Sequence, residues 1–351
     1  TGVTVPQVRM KDVLRPGERA VLIGPGDLGL FRFNIGIRTL EAGVEMNVRS
    51  YGADGDLRML VRRWFPGNSF RQLRADDLAG LPLTENGVMT FEVLGGAAVI
   101  YGVAVENRTN DPSLQIAEKV QSQPRTLELI VPAAASVSGG FGSLFKTAMQ
   151  VHNPGLSPLT LRIGFRTTQQ IAGQPMPNRL YEVAPRGTLA IDDVLADLGT
   201  SGIGSLDITS ESYAEIRPVF LVRVYNDGLQ GQTGMTEQVL AHHEVLQAGD
   251  RFVLLAPTTP GTLRFNVGLR TLEKGATIDY TVRNAAGQAI ATGYREFPTE
   301  YFLQQPAVDF FGFPLGADDS VEFRVLLGAV AIYGSTTDNI TQDPSLQLGR
   351  R

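Results

Sequence analysis

Between residues 32 and 38 apolar and polar side chains alternate one for one, with Phe33, Ile35 and Ile37 set between Arg32, Asn34, Gly36 and Arg38. A period of two sends the apolar set to one face of an extended chain, which predicts a half-buried β-strand. The same alternation returns at Val44, Met46 and Val48 and at Ile278, Tyr280 and Val282. Turn stretches such as "GPGDLG", "ADGD" and "NAAGQ" punctuate these runs, at the spacing of roughly 8–12 residues expected of an all-β sandwich. Only "DDLAGL" and "IDDVLADLG" read as helical, for one or two turns each.

The pattern also repeats on a longer scale. "FRFNIGIRTLEAG" at 31–43 comes back as "LRFNVGLRTLEKG" at 263–275, and residues 12–116 match 244–348 without a gap at 44 of 105 positions. A third, more distant copy fills the middle: Phe31 falls on Phe145, and Phe33, Ile35 and Ile37 fall on Thr147, Met149 and Val151. The predicted fold is all-β, three tandem antiparallel β-sandwich domains of immunoglobulin-like size, the outer two closely duplicated. Their expected boundaries are 12–118, 119–241 and 242–351, after an N-terminal extended segment, 1–11. The connectors are short and not Gly/Ser-rich, so a rod or shallow arc with restricted hinge angles is expected.

Outward residues are retained as well: Arg32, Asn34 and Arg38 return as Arg264, Asn266 and Arg270. Recent duplication accounts for this, and so would packing against a neighbouring unit.

Composition narrows the possible functions. The apolar fraction is 43%, ordinary for a globular chain, and no apolar run approaches the roughly 20 residues of a spanning helix. A net charge of -5 argues against a nucleic-acid partner. Cysteine is absent, which removes disulfides and thiolate chemistry. The chain begins at Thr1 with no signal-peptide pattern, so export is inferred from a leader already removed or trimmed away.

Candidate chemistry is sparse, and no cofactor is expected. "GPGDLG" at 24–29 has G-x-G-x-x-G spacing but no helix after it, so it is predicted to be a turn. There are three histidines. His152 replaces Arg38 and is expected on the outer, solvated face; His242 and His243 fall where the first copy has Met10 and Lys11, and adjacent residues on an extended segment point apart, so no metal site is predicted from them. The loops "ENRTND" and "DNITQD" offer Glu106, Asn110, Asp111, Asp338 and Asp343 as calcium ligands without EF-hand spacing. They also carry the N-x-T triplets at Asn107 and Asn339, read as coincidence kept by duplication. Trp64, which is Glu296 in the last copy, is a surface aromatic and the best candidate for stacking on a glycan.

The middle copy adds a resemblance. "VPAAASVSGGFGSLFKTAMQVHNPG", "LRIGFR", "IDDVLADLGTSGIGSLDI" and "VRVYNDGLQGQTG" resemble a β-sandwich repeat of secreted, uncharacterised proteins from environmental bacteria. The matching positions are Pro132 to Ala134, Phe145, Thr147, Asn153, Pro154, Asp193 to Leu195, Arg223, Tyr225 and Asn226, within 126–240; Phe145 stands where a Trp is usual. The resemblance implies the fold and export and carries no activity.

The sequence therefore predicts a non-enzymatic extracellular or cell-surface structural or adhesive protein, with a carbohydrate-binding module as the alternative. Head-to-tail self-association is expected through residues 1–11, whose Val3, Val5, Val8 and Met10 would add a strand to an exposed edge of the last unit of another copy.

Overall fold

The computed structural model describes residues 8–349 except 126, 169, 171 and 172. It is all-β and antiparallel, with three large sheets of seven, nine and seven strands and one two-stranded sheet. Three hydrophobic cores follow the three sequence copies: Leu14 to Ala117, Leu127 to Ala241 and Leu246 to Ile332. No helix among the described residues is long and apolar enough to cross a membrane.

In the first unit the strands are β1 (Arg19–Ile23), β2 (Phe31–Tyr51), β3 (Leu57–Phe65), β4 (Phe70–Arg74), β5 (Val88–Glu106) and β6 (Pro112–Ile116). β2 and β5 pair along almost their whole length and serve both halves of a β-sandwich-like unit. The first half of β2 takes β4 on its other side and the second half takes β3; β5 takes β1 and then β6. Phe33, Ile35 and Ile37 thereby meet Val44, Met46 and Val48 across one core, all buried. The alternation places these residues correctly, but the expected break between two short strands is absent. The chain instead turns a corner inside a continuous strand, at a register shift between Thr39 and Val44 opposite Gly96. Gly96 has φ +74°, and a Cβ there would lie 2.0 Å from the Gly43 carbonyl oxygen; Gly328 and Gly275 repeat the arrangement at 2.0 Å. Only glycine satisfies both the sign of φ and the close approach.

The middle unit cuts the same two strands. Leu144–His152 and Leu159–Thr167 correspond to β2, and Gly202–Ser210 and Val219–Gly228 to β5. Thr147, Met149 and Val151 are buried as expected. His152 is not on a solvated face: it is 4% exposed, with Nδ1 3.1 Å from the Gly187 carbonyl and 3.3 Å from Thr188 Oγ1. The strand Thr188–Ile191 pairs with Met149 to His152 and covers the ring.

Both expected helical turns form, as Ala75–Ala79 and Val194–Asp197. A third, Ala307–Phe311, is concealed by its aromatic composition; Phe310 and Phe311 pack edge-on into the last core, and Gly312 caps the turn. Met10–Asp12 is a 3-10 turn closed by the Asp12 N–H on the Arg9 carbonyl, so the N-terminal segment does not remain extended to residue 11. Residues 1–7 of that segment, with Val3 and Val5, lie outside the described residues.

The units do not string out as a rod, because both outer units reach one strand of the middle unit. β6 and its counterpart Pro344–Leu348 both pack on the middle unit's strand Gly231–Glu237.

Candidate functional site

The retained surface residues have a local use. Arg32 donates through Nη1 to Asn107 Oδ1 (3.3 Å) and through Nη2 to Asn110 Oδ1 (2.9 Å). Arg264 does the same to Asn339 Oδ1 (2.8 Å) and Gln342 Oε1 (2.7 Å). Each arginine clamps the loop that follows the second long strand, so the arginine and the asparagine of the N-x-T triplet were kept together. Arg38 and Arg270 have diverged: Arg38 is exposed and donates to the Thr39 and Ser69 carbonyls, while Arg270 is 3% exposed against the middle unit.

The five calcium candidates are not drawn into one cage. Glu106 Oε2 accepts the Arg108 N–H and the Thr109 hydroxyl, both at 2.8 Å. Asp338 Oδ1 accepts the Thr341 N–H at 2.7 Å and the Ile340 N–H at 2.8 Å, and these donors hold its pKa below the usual range. Asn110 is taken by Arg32. These oxygens satisfy their own loops, as Asx-type turns do.

Asp111 and Asp343 have another environment. Asp111 is fully buried; its Oδ2 accepts the Gly234 N–H of the middle unit at 2.7 Å, with Arg223 Nη2 4.0 Å away. Burial, and then the charge of Asp343, push its pKa up to about 7 despite the Gly234 N–H and Arg223. Around it Thr109 Oγ1 lies 2.8 Å from the Gln232 carbonyl oxygen, Thr233 Oγ1 donates to the Thr341 carbonyl (3.4 Å) and Arg223 Nε to Ser113 Oγ (3.0 Å). The duplicated loops thus fasten the outer units to one hairpin of the middle one. Sequence reasoning missed this role; the only hint is the Gly-rich "GQTG" at 231–234, which lets two backbones approach.

Apolar docking between units reuses one position. In β1, Ala20 and Leu22 face the core of the first unit, while Val21 and Ile23 face outward and are buried with Val88 against Val219 of the middle unit. In the middle unit Leu129 and Val131 face the core and Ile130 faces outward, buried against Leu272 and Ala331 of the last unit. Val219 and Ala331 are equivalent, since Val219 pairs with His152, Ala331 with Arg270 and Val99 with Arg38. The last unit's own outward pair, Val253 and Leu255, is 49% and 56% exposed. The linker also closes the edge of the unit it leaves: Glu118–Lys119 pairs with Val21 and Ala20, and Leu240–Ala241 with Ile130 and Leu129. Arg251–Leu255 has no such pairing among the described residues.

Trp64 is 66% exposed on β3, an edge strand, in an outer row with Leu60 and Arg62. Val8 is half-buried and Met10 exposed. His242 does not stand alone at the linker: its Nδ1 lies 3.2 Å from Glu273 Oε1 and 3.6 Å from Glu128 Oε2.

No protein-family model and no curated protein matches this chain. Among solved structures, one titled "Structure of infectious bursal disease virus Gx strain" aligns at 7% identity over 99% of this chain and 72% of that one, with a TM-score of 0.12, a value that carries no argument about fold or function.

Proposed function

We propose that the chain is an extracellular or cell-surface structural or adhesive protein of three tandem immunoglobulin-like β-sandwich domains, 12–118, 119–241 and 242–351, which has no chemistry of its own and associates head to tail. The observation that carries this reading is the reused docking position. The outward face of the first strand is covered by the next unit twice within the chain, through Val21 and Ile23 in the first unit and Ile130 in the middle one, and Val253 and Leu255 present it a third time, uncovered. Val99 and Tyr101 of the first unit occupy the receiving positions, and Val8 and Arg9 occupy those of Leu240 and Ala241, the residues that close a preceding edge. A second copy placed there repeats an interface the chain already makes. Such a contact does not close on itself and propagates.

The experiment is sedimentation velocity and negative-stain microscopy of the full chain across a concentration series. The wild type is expected to form end-to-end oligomers, V253D/L255D to stay monomeric, and deletion of residues 1–11 to weaken association. A wild type monomeric throughout, or unchanged assembly by V253D/L255D, overturns the proposal. The exposed Trp64 on an open edge strand favours a second reading, glycan binding, which predicts glycan-array signals lost in Trp64→Ala.

A further inference from the structure

We propose that Glu128, His242 and Glu273 bind a divalent transition-metal cation of the zinc class, clipping the middle unit to the last. The three residues come from separate segments. Glu128 opens the strand Glu128–Ser138, and Leu240–Ala241 pairs with that strand so that Ala241 faces Leu129 and residue 242 falls opposite residue 128. The His242 N–H donates to the Glu128 carbonyl at 3.4 Å, fixing that alignment. Glu273 follows Leu272, which is buried at the junction beside Ile130 and Leu240. One ligand atom from each residue lies within 4.8 Å of the other two, and His242 Nδ1 stands 3.2 and 3.6 Å from the two carboxylate oxygens.

The two separations from His242 Nδ1 fit the ion. A tetrahedral zinc bound at about 2.0–2.1 Å spaces its ligand atoms about 3.3–3.4 Å apart, and one imidazole with two carboxylates is a donor set that zinc accepts. Three protein ligands leave a fourth position for water. The carboxylates also differ from Glu106 and Asp338, which accept N–H groups of their own loops. Among the described residues, His242 is the only basic side chain within ion-pair distance of Glu128 or Glu273. Glu128 and Glu273 are exposed at the rim of the junction while His242 is half-buried between them, and one divalent cation there offsets both carboxylate charges. Because the ligands are split between units, the cation binds only the docked arrangement and stabilises it by mass action.

The test uses the untagged full-length chain, stripped with a chelator and dialysed, with zinc chloride as the probe. Calorimetric titration should give one saturable site per chain, and zinc should raise the thermal midpoint. His242→Ala should abolish both effects, Glu273→Gln should weaken binding at least tenfold, and the neighbouring His243→Ala should leave it unchanged. Far-ultraviolet circular dichroism establishes that each variant is folded, and Glu128→Gln replaces any that is not. An absent saturable site, in which case His242 serves only as an ion-pair partner, overturns the proposal. Binding that survives in the folded His242→Ala variant, or that disappears in His243→Ala, overturns it too.

Discussion

Arg270 reaches out of the last unit and donates through Nη2 to Asp207 Oδ1 of the middle unit at 2.7 Å, while Arg166 donates to the other oxygen of the same carboxylate at 3.0 Å. Glu300, itself partly exposed, lies 3.3 Å from Arg166 and completes a charge network across the junction in which both arginines are buried. Removing one member of such a network strands the others away from water. Arg270→Ala should therefore cost about 3–5 kcal/mol, read as a lower urea midpoint for the last two units. Its exposed duplicate provides the control, since Arg38→Ala should change stability by no more than about 0.5 kcal/mol. Equal losses from the two variants would contradict the assignment.

Asp111 should make the junction of the first two units sensitive to pH. Its carboxyl titrates near 3.8 in the unfolded chain and at about 7 in the fold, so between those values the native state holds a proton that the unfolded state has released. Stability should fall as pH rises from about 4 to about 7, by about 2–4 kcal/mol. Asp111→Asn keeps an acceptor for the Gly234 N–H and should flatten that slope in urea titrations. An unchanged slope would refute the assignment.

His152 works in the opposite sense. Burial depresses its pKa from 6.5 to about 4, against the pull of the Gly187 carbonyl. The unfolded chain thus gains a proton first as the solution is acidified, and stability present above about 6.5 is lost as pH falls towards 4, by about 2–3 kcal/mol. His152→Gln should remove this acid sensitivity from the middle unit. The two slopes oppose each other, so only the paired variants separate them. Equal acid sensitivity in His152→Gln and the wild type would count against a neutral buried ring.

The corner glycines give a backbone test. Gly96→Ala and Gly328→Ala should each cost at least about 2 kcal/mol, because alanine there is disfavoured by φ and meets a carbonyl oxygen. A Cβ on the adjacent Gly95 meets nothing within 4 Å, so Gly95→Ala should be neutral or slightly stabilising in the same denaturation experiment. Comparable losses at Gly95 and Gly96 would mean that the corner is placed wrongly.

The sequence exposes those parts of the molecule that depend on one strand and its own core. Phe33, Ile35, Ile37, Val44, Met46 and Val48 are all legible because period-two alternation and burial coincide. What one face touches in a neighbouring unit leaves no such pattern: Arg38 and Arg270 are the same letter in the same context, yet one is solvated and the other buried. His152 is concealed because the strand that covers it, Thr188–Ile191, lies far along the chain. Glu128, His242 and Glu273 converge only once Ile130 has docked on Leu272 and Ala331. The duplication cannot reveal them either, since Met10 stands at the position of His242.

The strands that run through both halves of a unit also bear on how the chain avoids exchanging parts with itself. Nearly interchangeable segments, Phe31–Tyr51 and Leu263–Arg283, coexist in one polypeptide, the circumstance in which repeat proteins misassemble by trading strands. A short strand confined to one sheet can be traded at the cost of a few ladder bonds. Here a trade would have to carry seventeen paired positions, a bulged corner and residues of both layers in a single step. The interposed middle copy, with its long strands already divided, supplies no template of the right length to the unit next to it.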